Sequence, residues 1–163
     1  MPKAERPTPG TFDVGPVSYA IFQLHLAHKG YAAALLRQLG LHPGQELILM
    51  HLHARDAQTQ SELLASIGVD PSTLSKALRR MQAAGLVVRE PAAHDRRVMV
   101  VRLTDKGRSL REPIAAMWRA LEELTLQNLS PQQADDLMAA AYSVIEAINE
   151  RTQPRDPMES ETS

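Results

Sequence analysis

The chain contains no cysteine. That absence excludes a disulfide framework, a thiolate zinc site and a cysteine-based redox switch, and it suits a reducing compartment. Aromatic residues make up only 4% of the 163 residues. No segment approaches the roughly 18 consecutive apolar residues that a membrane span needs, and the opening MPKAERPTPGTF lacks the apolar core of a signal peptide. We therefore expect a soluble, cytoplasmic protein with no membrane contact. There is also no glycine-rich phosphate loop, no nucleophile with a base at catalytic spacing and no dense cluster of acids and histidines. An enzyme is not expected, nor is a cofactor or a resident metal.

The formal net charge of -1 hides a strong asymmetry. Between Pro71 and Arg108 nine Lys/Arg stand against three acids, a balance of +6, so the rest of the chain carries −7. A positive region on an acidic frame is the footprint of a nucleic-acid binder whose other surfaces avoid nucleic acid.

That region opens with DPSTLSKALRRMQAAG, Asp70 to Gly85. Asp70 suits an N-cap, Pro71 the first helical position and Gly85 the left-handed stop, which together predict one helix. At about 100° per residue Leu74, Ala77, Leu78 and Met81 share an apolar stripe, so Ser72, Ser75, Lys76 and Arg79 point away from it, with Thr73 on the shoulder. Such a face offers hydroxyls and positive charge but no carboxylate. Base edges and phosphates are its natural counterparts. Upstream, Thr59 and Glu62 stand in capping-box relation before a helix ending at Gly68, so a tight turn joins two short helices as in a helix-turn-helix. Downstream, LVVRE and VMVVRLT flank a polar tip with Pro91, His94, Asp95, Arg96 and Arg97, the pattern of a β-hairpin. Arginines on a narrow loop can enter a minor groove, and Asp95 would either orient a guanidinium or form the turn.

Elsewhere the pattern is helical. Residues 1–15 read as a flexible arm and 152–163 as a disordered tail. A helix from Pro16 to Gly40 carries Val17, Ile21, Leu24, His28, Tyr31 and Leu35 at the spacing of a packing seam. A core helix follows between Leu41 and Ala54, with Pro43 at its first position. Thr104 caps a long helix to about Gln127, bent or offset at Pro113. Ser130 starts a last one. His25 and His28, with His42 beyond them, are candidate pocket residues, although interior hydrogen-bonded histidines would look the same.

In this order the elements resemble the MarR (multiple antibiotic resistance regulator) family of winged-helix transcription factors. The similarity is carried by STLSKALRRMQAAGLVVRE at Ser72–Glu90, DRR at Asp95–Arg97, LTDKGRSL at Leu103–Leu110 and LGLHPGQELILMHL at Leu39–Leu52. It implies a mainly α fold: a winged helix-turn-helix over 41–104 with a small β-hairpin wing, and a helical dimerisation region over 16–40 and 105–151. It further implies a homodimer bound to a pseudo-palindromic operator in double-stranded DNA, acting as a repressor that a small-molecule effector relieves. Position by position, Ser72, Thr73, Ser75, Lys76 and Arg79 become recognition-helix contacts, Arg97 the minor-groove arginine with Asp95 as its partner, and Arg96 its neighbour on the wing. Two alternatives stand beside this: a winged-helix protein-interaction module with no DNA target, and a zinc-responsive regulator using His25, His28 and His42.

Overall fold

The computed structural model describes residues 14–92 and 95–152. Most of the expected arm, His94 at the hairpin tip and the tail from 153 onward lie outside the described residues, while Thr152 closes the last helix rather than opening the tail. The chain divides into two compact units, one running to Leu121 and one starting at Glu122.

The first unit opens with α1, Pro16–Gln38, whose Pro16 occupies the first position as a missing N–H allows. It ends in a left-handed Gly40, with the Leu41 N–H reaching the Leu36 carbonyl at 2.9 Å and the Gly40 N–H reaching that of Arg37 at 3.1 Å. The expected packing stripe does not close within the chain. Val17, Ile21, Leu24 and Tyr31 stay exposed, and Leu36 alone among the α1 residues is buried.

Helix α2 spans Gln45–Ala54, later than Pro43 suggests, because a left-handed Gly44 with φ 90° caps it instead. The His42 N–H then donates to Gln45 Oε1 at 3.0 Å, closing the turn ahead of the helix. Ile48, Leu49 and Leu52 go inside, whereas Met50 is 40% exposed. Between α2 and the helix that Thr59 caps lies a strand, β1 at Gln58–Thr59. With β2 (Val87–Pro91) and β3 (Met99–Leu103) it forms a three-stranded antiparallel sheet in the order β1-β3-β2. The hairpin pairs Val87 with Leu103 and Pro91 with Met99.

Asp56 fastens this edge. Its Oδ1 accepts from the N–H groups of Ala57 and Leu103 at 2.8 and 2.9 Å, and Oδ2 meets Arg108 at 2.7 Å. Partial burial pushes its carboxyl up most strongly of any one influence, but the N–H groups of Leu103 and Ala57 together with Arg108 outweigh it and hold it below the usual range.

Helices α3 (Gln60–Ile67) and α4 (Pro71–Ala83) follow β1. The long helix expected from Thr104 is two: α5, Asp105–Ser109, and α6, Arg111–Leu126, parted at Leu110. Pro113 explains the offset, since it has no N–H for the Ser109 carbonyl and is tolerated only in a first turn. One core joins these parts. Leu36, Leu49, Leu52, Leu63, Leu74, Leu78, Met81, Val101, Ile114 and Met117 all belong to it.

Among the described residues Glu46 is the one buried carboxylate. It is 8% exposed, its Oε2 has no hydrogen-bond partner, and burial raises its carboxyl pKa against the lowering pull of the Glu46 and Gly44 N–H groups. A raised folded-state value means that the ionised form opposes folding, so the penalty is absent at low pH and grows as pH climbs past the unfolded value. E46Q should therefore gain on wild type between about pH 4 and pH 7, by at least about 1 °C in Tm. A difference that shrinks over this range in paired thermal melts would contradict the assignment.

In the second unit α7 spans Pro131–Thr152. The expected cap is present: Gln133 N–H donates to Ser130 Oγ at 3.2 Å and Ser130 N–H to Gln133 Oε1 at 2.9 Å. No residue of α7 is buried. Leu137, Met138, Tyr142, Val144, Ile145 and Ile148 are exposed apolar residues.

Candidate nucleic-acid interface

Helix α4 is held by both ends and by its inner face. Asp70 Oδ1 accepts from the Thr73 N–H at 2.9 Å and from the Ser72 hydroxyl at 2.7 Å. Hydrogen bonds from the side chains of Thr73 and Ser72, then from the Thr73 N–H, hold this carboxyl well below its usual range. At the other end Leu86 N–H reaches the Met81 carbonyl at 2.9 Å and Gly85 N–H that of Gln82 at 3.0 Å, with Gly85 left-handed at φ 69°. Leu74, Leu78 and Met81 are buried, and Ala77 is half-buried beside them.

The opposite face meets solvent as the periodicity requires. Ser72, Thr73, Lys76 and Arg79 are exposed and Ser75 half-exposed. Ser72 differs from expectation in one respect, because its hydroxyl proton is spent on Asp70. Lys76 and Arg79 form no ion pair among the described residues. They are the face's available cations.

The hairpin leaves α4 at a corner built by L-T-D-K-G. The Thr104 hydroxyl donates to the Gly85 carbonyl at 2.6 Å, with that of Leu86 at 3.1 Å, and accepts from the Gly107 N–H at 3.0 Å. Lys106 Nζ donates to the Ala84 carbonyl at 2.9 Å. Gly107 is buried there because no β-carbon fits: it would overlap the Leu86 carbonyl oxygen and lie 3.1 Å from Leu103 Cδ2. These contacts fix the angle between α4 and the hairpin.

At the tip Asp95 Oδ1 accepts the Arg97 N–H at 2.9 Å, and its carbonyl accepts the Val98 N–H at 3.0 Å. Asp95 is thus the turn-forming residue, and what it orients is the backbone of Arg97. Arg96 and Arg97 are both exposed. Other cations of the basic region are tied down: Arg102 pairs with Glu90 at 3.6 Å, and Arg108 with Asp56 at 2.7 Å and Asp105 at 3.6 Å. The cations without an ion pair include those on α4, those at the hairpin tip and Arg89 on β2.

His25 lies exposed and His28 half-buried on α1, and His42 is exposed in the turn before α2. Among the described residues no group of three or more His, Asp or Glu gathers as a metal-binding set. A cavity of about 400 Å³ lies elsewhere, lined by Met50, His53, Arg111, Ile114 and Trp118 among others. His53 Nε2 is 3.0 Å from the Gly107 carbonyl, so as donor it leaves Nδ1 free. Sequence spacing did not indicate this cavity, since its walls come from segments about sixty residues apart. Among the described residues no helix is long and apolar enough to cross a membrane.

A helix-turn-helix followed by a two-stranded wing defines a winged-helix protein. Residues 39–98 match the model of the MarR family. The chain is 28% identical to the HTH-type transcriptional repressor NicR of Pseudomonas putida over 155 residues, which is 91% of this chain and 96% of NicR. It is also 28% identical to an HTH-type transcriptional repressor of Mycobacterium tuberculosis over 127 residues, 77% of this chain and 91% of that protein. The fold matches the S. aureus MepR–DNA complex with a TM-score of 0.73 at 23% identity, covering 80% of this chain and 97% of MepR.

Proposed function

We propose that the protein is a DNA-binding transcriptional regulator that acts in the cytoplasm as a homodimeric repressor of a pseudo-palindromic operator. The observation that carries this reading is the outer face of α4: Lys76 and Arg79, unpaired and exposed, project from a helix whose other side is locked into the core beside an arginine-tipped wing. A helix of this kind enters the major groove while the wing reaches the adjacent minor groove. Ser72, Thr73 and Ser75 extend the contact surface, with Ser72 as an acceptor. A protein-interaction module would have no need to leave its cations unpaired along a carboxylate-free ridge.

The second copy is supported by the large apolar side chains left exposed along α1 and along α7. Repression is the activity named for NicR. Relief by a small molecule is supported by the cavity at His53, Arg111 and Trp118, whose mixture of apolar wall and cationic edge suits a small aromatic anion. Such a ligand acts only if it binds better to one spacing of the two winged modules than to another.

Selection of bound fragments from the source genome supplies the operator. On that duplex R79A/R97A should bind about 100-fold more weakly than wild type in a gel-shift titration, and with a shallower salt dependence. Equal binding by the two proteins would refute the assignment.

A further inference from the structure

A second cavity, of about 280 Å³, lies between the wing and the start of α3. Arg89 and Arg97 line one side of it, and Thr59, Gln60 and Ser61 the other. No Asp or Glu is among its lining residues. Arg89 is held loosely. One of its terminal N–H groups donates to Gln60 Oε1 at 3.2 Å, and its Nε–H is buried with no acceptor. Neither arginine forms an ion pair among the described residues. A group with several acceptor oxygens and negative charge is the complement of such a site.

We propose that this cleft seats one phosphate of the DNA backbone, on the strand that divides the groove holding α4 from the groove reached by the wing. The inference rests on the DNA-binding reading above and adds a contact which that reading does not contain. Adjacent major and minor grooves are separated by a sugar-phosphate strand, so a protein filling both must let that strand cross the saddle between its two probes. The cleft lies where the wing meets the N-terminus of α3, the helix that precedes α4, and its cationic wall belongs to the wing itself. Arg89 then clamps the backbone and carries no sequence information, and Ser61 adds a hydroxyl.

The test uses the full chain and a random-sequence duplex, so that no operator is required. Binding is followed by fluorescence anisotropy over a salt series. R89Q should lower the slope of log affinity against log salt by about 0.9, so that between about 50 and 200 mM salt it loses three- to fourfold less affinity than wild type. R89K, which keeps the charge, should retain the wild-type slope. Q60A, which removes the partner of Arg89 and leaves its charge, should retain it also. An unchanged slope in R89Q overturns the proposal, and so does a Q60A slope as flat as that of R89Q, which would make the arginine a structural strut. Titration with inorganic phosphate separates a free anion from the backbone: if R89Q abolishes phosphate binding while its DNA slope stays at wild type, the cleft is a small-anion pocket and the proposal fails. Wild-type protein that binds no duplex at any salt concentration would instead refute the DNA-binding reading itself.

Discussion

G107A is expected to unfold about 6–12 °C below wild type in a thermal melt, a loss of about 3 kcal/mol. The added methyl has nowhere to go, because its nearest neighbour is the backbone carbonyl of Leu86 rather than the end of a flexible side chain. Relief requires α5 to move away from β2. That movement would stretch the Thr104 bonds to Gly85 and Leu86 and the 3.0 Å contact from His53 to the Gly107 carbonyl. The cost is therefore both steric and polar, which places it towards the upper end of the usual range for overpacked sites. DNA binding should fall as well, since this corner sets the angle between α4 and the wing. If G107A melts within about 1 °C of wild type, the close approach is not as tight as the structure has it.

Sequence reading succeeded where the signal was local. Asp70, Pro71 and Gly85 delimit α4 by the chemistry of its own ends, and Thr59 with Glu62 does the same for α3: Glu62 N–H donates to Thr59 Oγ1 at 3.2 Å and Thr59 N–H returns to Glu62 Oε2 at 2.7 Å. It failed where a distant partner decides the outcome. Two residues of β1 have no periodicity of their own, and they become a strand because Val100 and Val101 of β3 run beside them. Pro43 is a valid start signal that lost to Gly44, whose left-handed backbone sets the entry to α2. The exposed face of α4 was legible because a helix face follows from spacing, whereas the Arg89 cleft was not, because Gln60 and Arg89 meet across 29 positions. Asp95 shows a third situation, in which one residue type fits two roles and only geometry chooses, here the backbone turn.

The exposed apolar residues of α7 lead to the other large effect. In the proposed homodimer, I145E/I148E should separate the two copies in sedimentation experiments and lower operator affinity by about 100-fold or more. Ile145 and Ile148 are 51% and 55% exposed in the single chain, so neither is needed for its internal packing. Their positions, three apart on one helix, place them on a shared face with Tyr142 and Met138. A twofold interface repeats each change, so two substitutions put four carboxylates into one apolar contact. Helix content by circular dichroism should hold, because the winged module keeps its own core around Leu49, Leu74 and Val101. What is lost is the link between two modules: binding to the second half-site then becomes a separate encounter instead of an intramolecular one. A variant that remains dimeric, or that becomes monomeric yet binds its operator as tightly as wild type, would show that α7 does not join the two DNA-reading modules.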